Sequence, residues 1–428
     1  LPLAGRNESE LKHNSFKHPD IMKKIFLLLA ILLTQLQLTA QKRKAIYIVL
    51  DGIPADYIER VHPKTIFEIA EKGNYARAIT GGEIGRYSET PTISAIGYMN
   101  ILTGTWMNKH NVNGNSNLKP NYNYWSLFRI AKSQDTDYKT ALFSSWTDNR
   151  TVLIGADKPE TGNLKIDYVY DGYELDKQRF PEKANHLQIF EIDSVVCQKA
   201  AKCIREKAPD LSWVYLWYTD SGYHLYGDGS YMDDYVRKTD ELIRQIWEAV
   251  QLREKEYNEE WLVIVTTDHG RDESGYHHGR QSERERSVWI STNAAKVNSH
   301  FQSPSLSLVD ILPSICSYMQ FEMPQEVAFE KDGVSFLGKN DISDLTTHPY
   351  DQYVTLKWNC TKSKEDATIY MATTNNYKEG GKDEWIKIST TKANKKEFTV
   401  DLNKYPKSKF YKFVVATPNN LITKWILK

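Results

Sequence analysis

The chain has no excess of charge of either sign: its 428 residues carry 55 Lys and Arg against 55 Asp and Glu. No overall field therefore draws it to a nucleic-acid polymer or an anionic membrane, and any partner must be recognised locally. Long apolar runs are missing too. Nothing in the chain approaches the ~20 consecutive apolar residues that a spanning helix needs, and the best candidate, Ile25 to Leu33, is too short. Cysteine is scarce. Cys197, Cys203, Cys316 and Cys360 make neither a CxxC pair nor a zinc-ribbon spacing, so they read as buried thiols. Cys197 and Cys203 fall on one predicted helix, too far apart to be bridged without unwinding it.

What is present begins with a leader. Met22-Lys23-Lys24, the apolar stretch from Ile25 and the ending Leu38-Thr39-Ala40 supply the basic, apolar and small-residue parts of a secretory signal peptide. Cleavage after Ala40 would deliver an exported protein, periplasmic or extracellular, with no transmembrane segment. Residues before Met22 are left out of the fold. No cysteine follows Ala40 directly, so a lipid-modified amino terminus is not supported.

From Lys44 the chain alternates strand and helix patterns. Lys44 to Leu50, Lys139 to Ser144, Leu211 to Thr219, Trp261 to Val265 and Ser287 to Thr292 are short, apolar and rich in β-branched or aromatic residues. Helical periodicity marks Tyr57 to Lys72 with a break at Pro63, Ala95 to Leu102, Tyr124 to Lys132, Leu187 to Lys207, Tyr231 to Glu254 and Ser305 to Met319. This order predicts an α/β domain whose mainly parallel sheet is flanked by helices on both faces. Residues 148–181 are weakly patterned and are expected to run over the active face as a long irregular excursion. From about Tyr350 the pattern changes to short alternating runs between Lys-, Asn- and Gly-rich turns, which predicts a small C-terminal all-β sandwich. The expected organisation is residues 1–40 upstream sequence and leader, 41–337 catalytic domain, 338–349 linker and 350–428 sandwich.

The chemistry concentrates in TTDHGRDESGYHHGR, residues 266–280, where Asp268, His269, His277 and His278 follow a buried strand. Carboxylate oxygen and imidazole nitrogen are the donors a zinc-like ion takes. Gly270 is expected to let the backbone turn away. Asp51 and Asp220 also end predicted interior strands, and His224 follows Asp220 by four residues. Three strand-end acids, two with histidine nearby, are better explained by a shared cationic centre than by three separate caps. Ser94 opens a helix, where a hydroxyl is either an N-cap or a nucleophile whose anion the free N–H groups favour. Thr92 is the second candidate nucleophile. Arg280, Arg284 and Arg286 could meet an anion, although Ser282 to Arg286 reads more readily as a solvated charged turn.

The motifs VLDGI, PTIS with TG nine residues later, KHNVNGN, TDSGYH, TTDHG and YHHG together resemble the alkaline phosphatase superfamily, in the branch of the type I phosphodiesterases and nucleotide pyrophosphatases. SLVDILPSI and KDGVSFLG resemble the closing helix and turn of those domains, so the resemblance spans roughly Lys44 to Leu337. It implies two divalent ions, zinc or alternatively manganese: one held by Asp51, Ser94, Asp268 and His269, the other by Asp220, His224 and His278. His278 is preferred to His277 because the family's ligand directly precedes glycine. Ser94 would be the catalytic nucleophile, passing through a phosphoseryl intermediate, and Asn115 would bind a nonbridging oxygen of a small phosphate-ester substrate. The serine is followed by Ala95-Ile96-Gly97, not by the branch's Pro-Asn, which keeps phosphomonoesterase action open beside phosphodiesterase action. No Cys/Ser-x-Pro-x-Arg segment supports sulfate ester hydrolysis. A phosphoglycerate mutase-like enzyme and a non-catalytic, glycan-binding surface protein, with Trp358 and Trp385 as its stacking surface, are the remaining alternatives.

Overall fold

The computed structural model describes residues 23–25, 41–360 and 362–427. Of the expected leader only residues 23–25 fall among these; the rest of that segment, including the cleavage point after Ala40, lies outside the described residues. Residues 43–428 make up one compact unit. Among the described residues no helix is long and apolar enough to cross a membrane.

The first strand, β1 (Lys42–Leu50), is followed by α1 (Ala55–Val61), α2 (Lys64–Lys72) and β2 (Asn74–Ile79). Then come α3 (Ser94–Thr103), α4 (Leu127–Gln134), β3 (Thr140–Ser144), β4 (Tyr168–Tyr170), α5 (Leu187–Lys207), β5 (Leu211–Leu216) and α6 (Tyr218–Tyr226). The long helix α7 (Ser230–Glu256) leads to β6 (Glu259–Thr267), β7 (Ser287–Thr292) and α8 (Ile311–Met319). The seven strands form one sheet in the order β2-β7-β6-β1-β5-β3-β4. β1, β5, β3 and β4 pair in parallel, whereas β7 is antiparallel to both β6 and β2.

β1 is central, and its side chains are buried from Lys44 onward. An interior strand covered on both sides must be apolar on both of its faces, which is why KAIYIVL does not alternate. Ala45, Tyr47 and Val49 join one core with α3, α4 and α8, while Ile46, Ile48 and Leu50 join the other with α1, α2, α5 and α7.

Several elements differ from the sequence reading for identifiable reasons. The fifth strand stops at Leu216, not Thr219, because the buried Asp193 carboxylate accepts the N–H groups of Trp217 (3.2 Å) and Tyr218 (2.9 Å) and so starts a helix there. Asp220 therefore sits in the first turn of α6, beyond the strand end. The helix expected from Tyr124 begins at Leu127, where Ser126 caps it. The helix expected over Ser305 to Met319 is divided into a short turn at Leu308–Asp310 and α8. β2 has no counterpart in the sequence reading. Residues 148–181, expected to be irregular throughout, contain a π turn at Asn149–Ile154 and contribute the edge strand β4, with Tyr170 stacked on Phe143 at 5.2 Å.

Beyond the sheet, β8 (Ser343–Tyr350), β9 (Tyr353–Asn359), β10 (Asp366–Ala372), β11 (Ile386–Lys392), β12 (Glu397–Asp401), β13 (Phe410–Ala416) and β14 (Leu421–Leu427) form two antiparallel sheets. Their orders are β11-β10-β13-β14 and β12-β9-β8. Much of the segment expected as linker is thus strand β8. One core joins the two sheets, and Trp358 lies in it with its indole N–H on the Ala393 carbonyl, which removes it from any stacking surface. All four cysteines are buried free thiols.

A buried Lys412 on β13 pairs with Glu330 (2.5 Å) and Asp383 (2.8 Å), all three side chains almost fully enclosed. Removing one partner of a buried ion pair leaves uncompensated charge. Lys412→Met is expected to destabilise the protein by about 3–5 kcal/mol, read as a lower urea midpoint with an unchanged slope.

Candidate active site

The site lies where β1 and β6 end and α3 and α6 begin. Asp51 follows β1 directly and is buried. Its Oδ2 accepts the hydroxyls of Tyr98 and of Tyr215, the latter at 2.7 Å, while Oδ1 has no hydrogen-bond partner. Tyr98 stands one helical turn after Ser94, so the hydroxyl that fixes Asp51 and the serine share one face of α3.

Asp268 follows β6. Its Oδ1 accepts the Gly52 N–H at 2.9 Å, and its Oδ2 is buried without a partner. His269 Nε2 stands 3.3 Å from Asp51 Oδ1, 3.3 Å from Asp268 Oδ2 and 3.2 Å from Ser94 Oγ. His269 Nδ1 is 2.9 Å from the Gly270 carbonyl, which can only accept, so Nδ1 carries the proton and a neutral ring turns its lone pair on Nε2 toward the carboxylates. Burial and then the Asp51 charge push the Asp268 carboxyl well above its ordinary range. For His269, burial opposes the charged form, but Asp268 and Asp51 outweigh it and raise the imidazole to about 9.

A second group adjoins the first. Asp220 Oδ1 is 3.3 Å from His224 Nε2 and 3.8 Å from His278 Nε2. His278 Nδ1 donates to the Thr92 carbonyl at 2.9 Å, again leaving Nε2 unprotonated, and its ring stacks on His269 at 3.8 Å. Burial, then the neighbouring His269 and Arg271 charges, lower His278 to about 2, so its ring stays neutral. Donor atoms of Asp220, His224 and His278 all lie within 4.8 Å of one another, as do those of Asp51, Asp220 and His269. Asp220 thus reaches both groups. His277, by contrast, is exposed.

These residues fit divalent metal. Two buried carboxylate oxygens without partners and two imidazoles held in the tautomer that presents Nε2 form a set of hard and borderline donors that a cation satisfies and water-free burial otherwise penalises.

Ser94 is the first residue of α3, and Ile93 occupies the cap position without a side-chain bond, so the serine hydroxyl is not used as a cap. The Asn115 side-chain carbonyl accepts the Ala95 N–H at 2.9 Å, which leaves its amide NH2 for another acceptor. His110 braces that loop: Nε2 meets Asn100 Oδ1 of α3 at 3.0 Å, and Nδ1 accepts from Val112 N at 3.1 Å. Thr92 is occupied structurally, donating to the Arg280 carbonyl (2.8 Å) and accepting from Gly279 N (2.9 Å). Arg284 binds Asp56, Asp228 and the Asp272 carbonyl, and Arg286 binds the carbonyls of Thr80 and Gly82, so both hold turns together.

Two glycines matter for reasons the sequence hides. A Cβ at Gly97 would stand 2.7 Å from both Cβ and O of Asp268, so only glycine lets α3 approach the ligand turn. Gly270 is constrained in the same way, because a Cβ there would lie 2.1 Å from the Arg284 carbonyl oxygen; its role is close approach, not the turn expected of it. The tyrosines on Asp51, the Asp193 cap and Arg271 carry no motif of their own in the sequence. The one available signal was spacing: Tyr98 is four residues from Ser94, and Arg271 directly follows the DHG motif.

Buried carboxylates and imidazoles gathered beside a serine hydroxyl at the ends of interior strands are the groups a metal-dependent hydrolase uses. The family model for Type I phosphodiesterase / nucleotide pyrophosphatase matches residues 45–283, and the chain belongs to that family. Among solved structures, a putative sulfatase from Bacteroides thetaiotaomicron shares 12% identity over 74% of this chain and 83% of its own, with a TM-score of 0.49. Murine ectonucleotide pyrophosphatase / phosphodiesterase 5 shares 12% identity over 66% of this chain and 96% of its own, with a TM-score of 0.46. Phosphonoacetate hydrolase from Sinorhizobium meliloti shares 15% over 54% and 57%, with a TM-score of 0.39. No curated protein matches the chain.

In metal-free protein the raised His269, held charged by Asp268 and Asp51, contributes stability that is fully present below about pH 6.5 and disappears as pH climbs to 9. Chelator-treated protein should therefore lose roughly 3 kcal/mol of unfolding free energy between pH 6.5 and 9, and added zinc should flatten that slope. Urea titrations across the range, with and without metal, measure it.

Proposed function

We propose that the protein is an exported phosphoric ester hydrolase that works through a phosphoseryl intermediate at Ser94. The observation that carries this reading is the 3.2 Å approach of an uncapped, buried Ser94 hydroxyl to His269 Nε2, beside two carboxylate oxygens without partners. Asp51, Asp268 and His269, with Ser94, would hold one divalent ion; Asp220, His224 and His278 would hold a second, zinc being favoured by the mixed nitrogen and oxygen donors. Bound there, such ions lower the pKa of the serine hydroxyl and neutralise charge on the phosphoryl and leaving oxygens.

The chain's own groups supply the rest. Ser94 Oγ bonds to phosphorus as the bond to the ester's leaving oxygen breaks, and water then cleaves the phosphoserine and regenerates the hydroxyl. Tyr98 and Tyr215 hold Asp51 so that Oδ1 faces the site. Asn115, fixed by its carbonyl on Ala95 N, offers its amide N–H to a nonbridging oxygen, and the amino end of α3 favours the anion. Family membership, and the engagement of Arg284 and Arg286 elsewhere, support phosphodiesters or nucleotide pyrophosphates over monoesters. The serine with its Ala-Ile-Gly sequel favours the second reading, a phosphomonoesterase. Export rests on the pattern from Met22 to Ala40.

Ser94→Ala should lower turnover at least about 10³-fold and abolish the covalent adduct seen by intact mass spectrometry after acid quench; undiminished activity would overturn the assignment. With wild-type protein and zinc, faster cleavage of bis-p-nitrophenyl phosphate than of p-nitrophenyl phosphate is expected, and the reverse order selects the monoesterase.

A further inference from the structure

The two ligand groups are not equivalent, because a cation already belongs to one of them. Arg271 is fully buried, with its guanidinium inside the Asp220 group. Nη2 donates to Asp220 Oδ1 and Nη1 lies 3.4 Å from His224 Nε2, so two of the three donor atoms of that group face guanidinium N–H groups. Nε donates to the Gly52 carbonyl at 3.1 Å, and the cation lies over the Tyr223 ring at 5.0 Å. The placement is built in: a Cβ on Gly52 would stand 2.3 Å from Nη2, and Gly52 takes a positive φ of 72°. By contrast, Asp51 Oδ1 and Asp268 Oδ2 have no hydrogen-bond partner, and their one close neighbour is a histidine nitrogen.

We infer that Arg271 is the resident cation of the Asp220–His224–His278 group, so the chain binds one divalent ion tightly at Asp51–Asp268–His269 and a second only by displacing the guanidinium from Asp220 and His224. This rests on the proposed metal-binding role of both groups. Charge supports it: the Asp220 carboxylate is already balanced by Arg271, whereas Asp51 and Asp268 together call for one dication. The guanidinium has to withdraw from His224 Nε2, whose single lone pair it faces, and its buried charge repels an incoming dication, which sets the second affinity about tenfold or more below that of the same site without the arginine.

The test is metal content and zinc titration calorimetry on the full-length protein, without any activity readout. After dialysis at one fixed free zinc concentration, wild type should retain about one ion per chain and Arg271→Gln about two, with the second titration step of the variant at least about tenfold tighter. Arg271→Lys, which keeps the charge but not the forked geometry, should stay near wild type in count; if Arg271→Gln does not fold by circular dichroism, the wild-type count decides alone, and two ions retained there overturn the inference. Equal counts of two in wild type and Arg271→Gln would overturn the inference while leaving the proposed function intact. Retention of no zinc by either would overturn both.

Discussion

The constraint on which the rest depends is a pair of carboxylates buried where only a cation or a proton can neutralise them. Asp51 and Asp268 each bury a carboxylate oxygen without a hydrogen-bond partner, and His269 directs a ring nitrogen between them. Such an arrangement is costly unless a cation or a proton enters it. Much of the surrounding architecture serves to keep those oxygens where they are: two tyrosine hydroxyls on one side of Asp51, the Gly52 N–H on one side of Asp268, and a backbone carbonyl fixing the His269 tautomer.

The sheet makes this possible. The central strands carry long apolar runs, so the acids placed just past their ends are the first ionisable groups after those runs, and they fall on one edge of the sheet. Asp220 reaches the same edge by another route, since Asp193 turns the chain into a helix after Leu216 and brings the carboxylate and His224 round on successive turns. The serine arrives from the opposite side at the amino end of α3, whose N–H groups lend partial positive charge.

Much of this was legible in the sequence where periodicity or motif carried it. The alternation from Lys44 to Thr292 gave the layers, and α5 and β7 fall within the bounds their patterns predict, because long amphipathic helices and short β-branched runs leave strong signals. The candidate ligands Asp51, Asp220, His224, Asp268, His269 and His278, with Ser94, come together in space. What could not be read were relations across the chain: that Asp193 would end β5 three residues early, that β2 would pair with β7, or that Arg271 would fold back to Gly52. Long-range hydrogen bonds of that sort leave no local pattern, and an arginine in a polar loop reads as solvated until its partners are known.

Gly97 carries a consequence for how the protein can change. Its missing side chain lets the serine helix touch the backbone of Asp268, so nucleophile and ligand turn are coupled through direct contact, not through loops that could drift independently. A side chain at residue 97 would push the serine helix and the turn at Asp268 apart, so the nucleophile and the carboxylate would shift together and not one at a time.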